Sequence, residues 1–264
     1  MVVRSATKTD PKLNVEVFRQ ANSRTNTLFS PVAIASDGER LFVNSRFMFY
    51  RSDDNGRLEN VLTGEHTNSW TSGLIVTSEA LYAFGQDGII RSADAGASFK
   101  PVLEPSSVRA MAAEPNGTLW AGDEDGVILV KLRGAKSFTA IDQRTAGVTA
   151  MCQSTLGVFI GDEEGRLWIG RTGKLSATSL QTGEPIRAVL ETDRGTILAI
   201  SGGEHNQKPT LARSTNGGKS FKTTPFKGSL LVLAQIPDGG PIIAGGWEGL
   251  LAVSRDDGST FERV

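Results

Sequence analysis

Short apolar runs separated by turn residues fill most of the chain. Val108-Arg109-Ala110-Met111-Ala112, Thr118-Leu119-Trp120-Ala121, Val127-Ile128-Leu129-Val130 and Ser137-Phe138-Thr139-Ala140-Ile141 follow one another closely. The next stretch repeats the series with Val148-Thr149-Ala150-Met151-Cys152, Gly157-Val158-Phe159-Ile160 and Arg166-Leu167-Trp168-Ile169. Runs this short, with turn signals about every 8–12 residues, predict antiparallel four-stranded units. No segment keeps its apolar positions on a 3.6-residue period, so almost no helix is expected.

Two turn patterns show that these units repeat. The first reads Ser52-Asp53-Asp54-Asn55-Gly56, Ser92-Ala93-Asp94-Ala95-Gly96, Ser214-Thr215-Asn216-Gly217-Gly218 and Ser254-Arg255-Asp256-Asp257-Gly258. The serines are 40, 122 and 40 residues apart, so the middle interval holds three periods and two unmarked repeats. The second is an acidic hairpin upstream of each turn: Gly85–Gly88, Gly122–Gly126, Gly161–Gly165 and Gly245–Gly249, with a longer version at 202–210. Equal spacing of four-stranded units predicts an all-β fold, a β-propeller of six four-stranded blades. The blades are expected at about 21–61, 62–103, 104–142, 143–181, 182–226 and 227–264, as a single propeller domain. Residues 1–20 form an N-terminal arm with one strand, Asn14–Gln20, that has no blade of its own. That strand leaves two readings open: it adds to an outer edge, or the strand count within one blade is wrong; seven blades are the alternative to six.

In the serine turn, an aspartate can accept backbone N–H bonds from its own loop while glycine takes the positive-φ position. An aromatic follows the serine by seven positions at Phe99, Phe221 and Phe261. The pattern Ser-x-Asp-x-Gly-x-x-Phe resembles the Asp-box, or BNR repeat, of sialidases, sortilin-type receptors, some glucan hydrolases and propeller-shaped photosystem II assembly factors. Gly85–Phe99 and Ala244–Val264 look most like the assembly-factor branch. Glu59 stands where the aromatic belongs in blade 1, Asn216 replaces the aspartate in blade 5, and blades 3 and 4 lack the motif. The resemblance implies that this turn joins the third and fourth strands, opposite the usual ligand face. Ser52, Asp54, Gly56, Ser92, Asp94, Gly96, Ser214, Gly218, Ser254, Asp256 and Gly258 are then structural, not catalytic.

Composition narrows the function further. The 264 residues carry a net charge of −1, which makes no electrostatic case for nucleic acid or an anionic membrane. No apolar run reaches the ~20 residues of a membrane span. The start, Met1–Lys8, has no apolar secretory core, so a soluble protein is expected, cytoplasmic or virion-associated. Cys152, the single cysteine, excludes an internal disulfide and is expected to be a small buried core residue.

Candidate binding groups fall on the other face, where second-to-third-strand hairpins meet the blade connections. It carries Asp87, Asp123, Asp125, Asp162, Glu163, Glu164, Glu204 and Glu248, with His66, His205 and Trp247. An acidic mouth attracts a cation or a basic partner, while solvated turn tips are the plainer reading. Calcium is conceivable from the oxygen donors, but no loop has EF-hand spacing, so neither metal nor cofactor is expected. Arg109 and Arg187 hold matching positions near the start of the first strand, with Thr149 between them, and guanidinium groups there would grip carboxylates or pair with acidic neighbours. A sialidase would need an arginine triad and a late tyrosine–glutamate pair. The tyrosines, Tyr50 and Tyr82, are early, and the N-terminal Arg-Ile-Pro signature is absent. The leading expectation is a non-catalytic scaffold that binds a protein. The alternatives are a component of a larger particle such as a phage virion or glycan-binding adhesin, and a sialidase-like hydrolase.

Overall fold

The computed structural model describes residues 31–45, 48–52, 57–60, 71–103, 106–143, 146–202 and 209–264. They form six four-stranded antiparallel sheets arranged as a β-propeller, each built from consecutive strands in sequence order. Blade 1 holds β1–β4 (Pro31–Ser36, Leu41–Ser45, Met48–Ser52, Leu58–Asn60) and blade 2 holds β5–β8 (Thr71–Val76, Leu81–Gly85, Gly88–Ser92, Lys100–Leu103). Blade 3 is β9–β12 (Val108–Ala113, Leu119–Asp123, Val127–Lys131, Thr139–Gln143) and blade 4 is β13–β16 (Val148–Ser154, Gly157–Asp162, Arg166–Arg171, Lys174–Gln181). Blade 5 is β17–β20 (Ile186–Glu191, Ile197–Ser201, Thr210–Ser214, Lys222–Pro225). Blade 6 is β21–β24 (Leu230–Gln235, Ile242–Gly246, Leu251–Ser254, Glu262–Arg263). One 3-10 turn, Trp247–Gly249, is the only helical element among the described residues, so no helix there is long and apolar enough to cross a membrane. The strand expected at 14–20 lies outside the described residues.

The described residues up to Val108 form one compact unit and those from Arg109 onward another. In the first, Phe42, Phe49 and Leu81 make the core, with Phe99 edge-on to Phe49 at 5.2 Å between ring centres. In the second, three apolar clusters lie between successive blades, around Trp120 and Val148, Phe159 and Ile186, and Leu198 and Leu230. The second strand of a blade has packed neighbours on both faces, so it loses the in–out alternation of a half-buried strand. Leu119–Asp123 and Ile197–Ser201 are buried at every position, whereas the outermost Lys222–Pro225 is exposed throughout.

The expected core position of Cys152 needs correction. It lies on β13, a first strand with one free sheet edge, and is half-buried against the blade 4–5 cluster. Burial there still pushes its thiol pKa up.

Successive blades approach closely enough to dictate residue type. A Cβ added at Gly122 would stand 2.6 Å from the Val148 side chain, and one at Gly161 would stand 2.5 Å from that of Ile186. In both cases the second strand of one blade meets the first residue of the next. Gly161→Ala should therefore lower stability by about 1–3 kcal/mol, the usual cost of overpacking a well-packed interior. Urea denaturation of the wild type and the variant checks this.

Candidate functional site

The acidic hairpins are built by their own first aspartate. Asp123 Oδ1 accepts the backbone N–H groups of Asp125 (3.1 Å) and Val127 (2.8 Å), and Asp162 Oδ1 accepts those of Glu164 (3.1 Å) and Arg166 (2.9 Å). Gly126 and Gly165 close these turns at φ of 80° and 77°, which glycine adopts without strain. Asp162 is only 1 % exposed, and its second oxygen accepts Arg166 Nε at 2.8 Å and Trp168 Nε1 at 3.1 Å. Such buried carboxylates are occupied in holding the turn. The groups that protrude from the same hairpins are Asp87, Glu124, Asp125, Glu163 and Glu164.

Beside them, the first strand of five blades carries a β-bulge that the apolar periodicity does not predict. The register slips after the first residue in blades 1, 2, 4, 5 and 6, leaving Val32, Ser72, Thr149, Arg187 and Leu231 as the extra residues. Arg109 holds the same second position in β9. A bulge bends its strand and re-aims the side chain it carries. Arg109 pairs with Glu124 at 3.1 Å, Thr149 donates to the carbonyl of Ile186 at 2.6 Å, and Arg187 Nε donates to that of Gly202 at 3.4 Å. Arg109 and Arg187 thus engage neighbours on their own blades. Glu124 was absent from the expected set, and only the paired register reveals it as the partner of Arg109.

Blade 6 differs. Its hairpin is the 3-10 turn Trp247–Gly249, in which Trp247 N–H donates to Ser229 O at 3.0 Å and Leu250 N–H to Trp247 O at 3.0 Å. A Cβ at Gly246 would fall onto the Ser229 carbonyl, so glycine is needed for this close approach. The turn holds the Trp247 side chain 58 % exposed, and Leu251, four residues on at the start of β23, is 42 % exposed. Glu248 lies in the same turn. His66, His205, Glu204, Asp54 and Gly56 lie outside the described residues. Among those described, no group of three or more His, Cys, Asp or Glu could hold a metal ion.

The serine turns join third to fourth strands, at the opposite strand ends from these hairpins. Ser92 Oγ donates to Asp94 Oδ1 (2.7 Å) and accepts Gly96 N–H (2.7 Å), while Ser98 donates its N–H (2.9 Å) and hydroxyl (2.6 Å) to the same carboxylate. Ser254, Asp256, Gly258 and Thr260 repeat this network. In blade 5, Ser214 and Ser220 hold Asn216 the same way, except that Asn216 Nδ2 now donates to Ser220 Oγ at 2.7 Å. The hydroxyl at Ser98, Ser220 and Thr260 is a recurring part of the motif that sequence reading overlooked.

Each turn also grips the preceding blade. Arg51 donates to Ala95 O at 3.1 Å and Arg213 to Asp257 O at 3.0 Å, both carbonyls being presented by residues at positive φ. Of the aromatics, Phe99 meets Phe49, Phe221 packs on the blade 4–5 cluster, and Phe261 stands 6.1 Å from Phe226.

No family model matches the chain, and no curated protein does either. Among solved structures, YCF48 bound to D1 peptide is similar over 90 % of this chain and 83 % of that one, at 17 % identity and a TM-score of 0.71. The extracellular domain of BT4673 from B. thetaiotaomicron matches 88 % of this chain at 14 % identity and a TM-score of 0.70, and this chain spans 33 % of that one. A candidate gluconolactonase matches 91 % of this chain and 92 % of its own at 10 % identity and a TM-score of 0.60. These likenesses establish the fold.

The hydrogen bonds of the serine turn have a pH consequence. Thr260 and Ser254 hold the Asp256 carboxyl down at about 2, against an ordinary value of about 3.9 in an unfolded chain. A lowered native pKa contributes stability above the unfolded value, and that contribution is lost as pH falls through the native one. The melting temperatures of the wild type and of Asp256→Asn should keep their full difference above about pH 5 and converge as pH falls toward about 2. Asp256→Asn should also stay folded, because Asn216 already serves in blade 5.

Proposed function

We propose that this chain is a non-catalytic β-propeller that binds a protein partner through its second-to-third-strand hairpin face. The single observation that carries the reading is Trp247, held outward on a short, hydrogen-bonded turn at the head of a strand whose first residue, Leu251, is also exposed. An indole fixed by its backbone loses little entropy on binding, and tryptophan is enriched among the residues that dominate interface energetics. Exposed carboxylates at Asp125, Glu163 and Glu164 tip other hairpins of the same face, and interfaces combine an apolar centre with polar surroundings. The serine turns are read as Asp-boxes that brace the blades. The neighbour captured with a peptide supports a protein-binding role by analogy of fold.

The chemistry of the site favours binding over hydrolysis. Tyr82 is buried within β6, and Tyr50 sits on β3 with its pKa raised by burial, which works against a phenolate nucleophile. Asp162, the most buried acid of the face among the described residues, is committed to four donors.

Two measurements test the proposal. Quantitative affinity purification from the source cells should recover a protein set with the wild type that falls at least about tenfold with Trp247→Ala, as for a hot-spot residue, while the melting temperature is unchanged. Equal recovery by both forms would refute the Trp247 face. A fluorogenic sialoside should not be hydrolysed, and turnover that disappears in Arg109→Ala would establish an enzyme instead.

A further inference from the structure

Blade 4 has an unusual outer edge. β16 is eight residues long, while the other outermost strands have two to five described residues. Long free edges invite pairing with another chain, and proteins generally keep them short. In place of a serine turn, β15 and β16 are joined by Thr172-Gly173, both at positive φ (46° and 75°), a two-residue hairpin closed by the pair Arg171 and Lys174. The closing pair of such a hairpin is hydrogen-bonded, and bonded and non-bonded pairs alternate from there. Ile169–Ser176 is therefore bonded, whereas Leu175 and Ala177, opposite Gly170 and Trp168, turn their N–H and C=O groups outward. Further along, Ser179 N–H is taken by Gly218 O at 3.5 Å, which closes that end.

This edge borders a groove of about 580 Å³ between blade 4 and the serine turn of blade 5, lined by Arg171, Lys174, Ser176, Thr178, Gly218 and Lys219 among others. No carboxylate lines it. The side chains of Arg171, Lys174 and Lys219 have no hydrogen-bond or ion-pair partner among the described residues. Arg171, Lys174 and Ser176 project to one face, as cross-strand and alternate neighbours do. The adjoining turn is the one where Asn216 replaces aspartate, so the negative charge of the other serine turns is missing here.

We propose that the β16 edge is a docking site for an extended acidic segment of a partner protein. The segment adds a fifth strand to blade 4 through Leu175 and Ala177 and places alternate carboxylates against Arg171, Lys174 and Lys219. Main-chain bonds give the affinity and alternate side chains the selectivity in strand addition of this kind. The site is separate from the Trp247 face and does not depend on it.

The test uses a fluorescein-labelled Glu-Val-Glu-Val-Glu peptide and anisotropy at low and high salt. The full chain should bind it, more weakly as salt rises. Two changes should each weaken binding at least about tenfold: N-methylation of the peptide's edge-facing amides, and Ala177→Pro, which removes an outward N–H while leaving the ladder to β15 intact. Lys174→Glu with Lys219→Glu should weaken it about fivefold or more, as expected for reversing exposed ion pairs. Absence of binding at millimolar peptide would overturn the proposal. So would equal binding of the N-methylated peptide, which marks attraction of any polyanion, or indifference to the charge reversals, which places the peptide elsewhere. The N-methylated peptide leaves the protein unaltered, so the result stands even if Ala177→Pro misfolds.

Discussion

Face-to-face contact between consecutive blades leaves no room for a side chain at particular backbone points, and much of the rest follows from that constraint. Gly122 and Gly161 lie one residue before the ends of second strands, where Val148 and Ile186 begin the next blade. Gly170 likewise lies under the buried Trp120 ring, and Gly258 under Leu198. Apolar bulk on one blade thus meets bare backbone on its neighbour. The second strands are largely apolar because they are covered on both sides, and polar chemistry is pushed to their ends, the hairpin tips and the outer edges.

The serine turn meets the same constraint from the strand ends. Its carboxylate or amide gathers the loop's own donors, so the loop reaches the adjacent blade already ordered. Its left-handed residue then hands a carbonyl to an arginine across the blade boundary. Asn216 shows that the geometry, not the charge, holds the loop together, since the amide reproduces the carboxylate's contacts with one hydrogen bond reversed. Charge at that position is therefore free to vary, and blade 5 has lost it beside a cluster of cations.

Periodicity made the architecture readable in the sequence. Four-residue apolar runs and a recurrent turn predicted six sheets, and the ranges of Leu119–Asp123 and Ile197–Ser201 follow their apolar residues closely. The candidate site was less readable, for identifiable reasons. Asp123 and Asp162 look like surface acids in sequence, because nothing there tells that the loop folds back to donate two amides to each. The bulges at Thr149, Arg187 and Leu231 depend on pairing register, which periodicity does not encode. Trp247 was visible as an aromatic within a turn, but its outward pose comes from the Gly246 approach to Ser229.

The fall in burial from second to fourth strand also sets how each blade breathes. Amides of Ile197–Ser201 can meet solvent only when neighbouring blades separate, whereas those of Lys222, Thr223 and Thr224 need only the local loss of an exposed edge. Opening free energies in native proteins range from nearly zero at frayed segments to the full unfolding value in the core. Each blade therefore spans that range over a single sheet, and its outer strand can exchange its hydrogens, or change its pairing, while the apolar layers between blades stay closed.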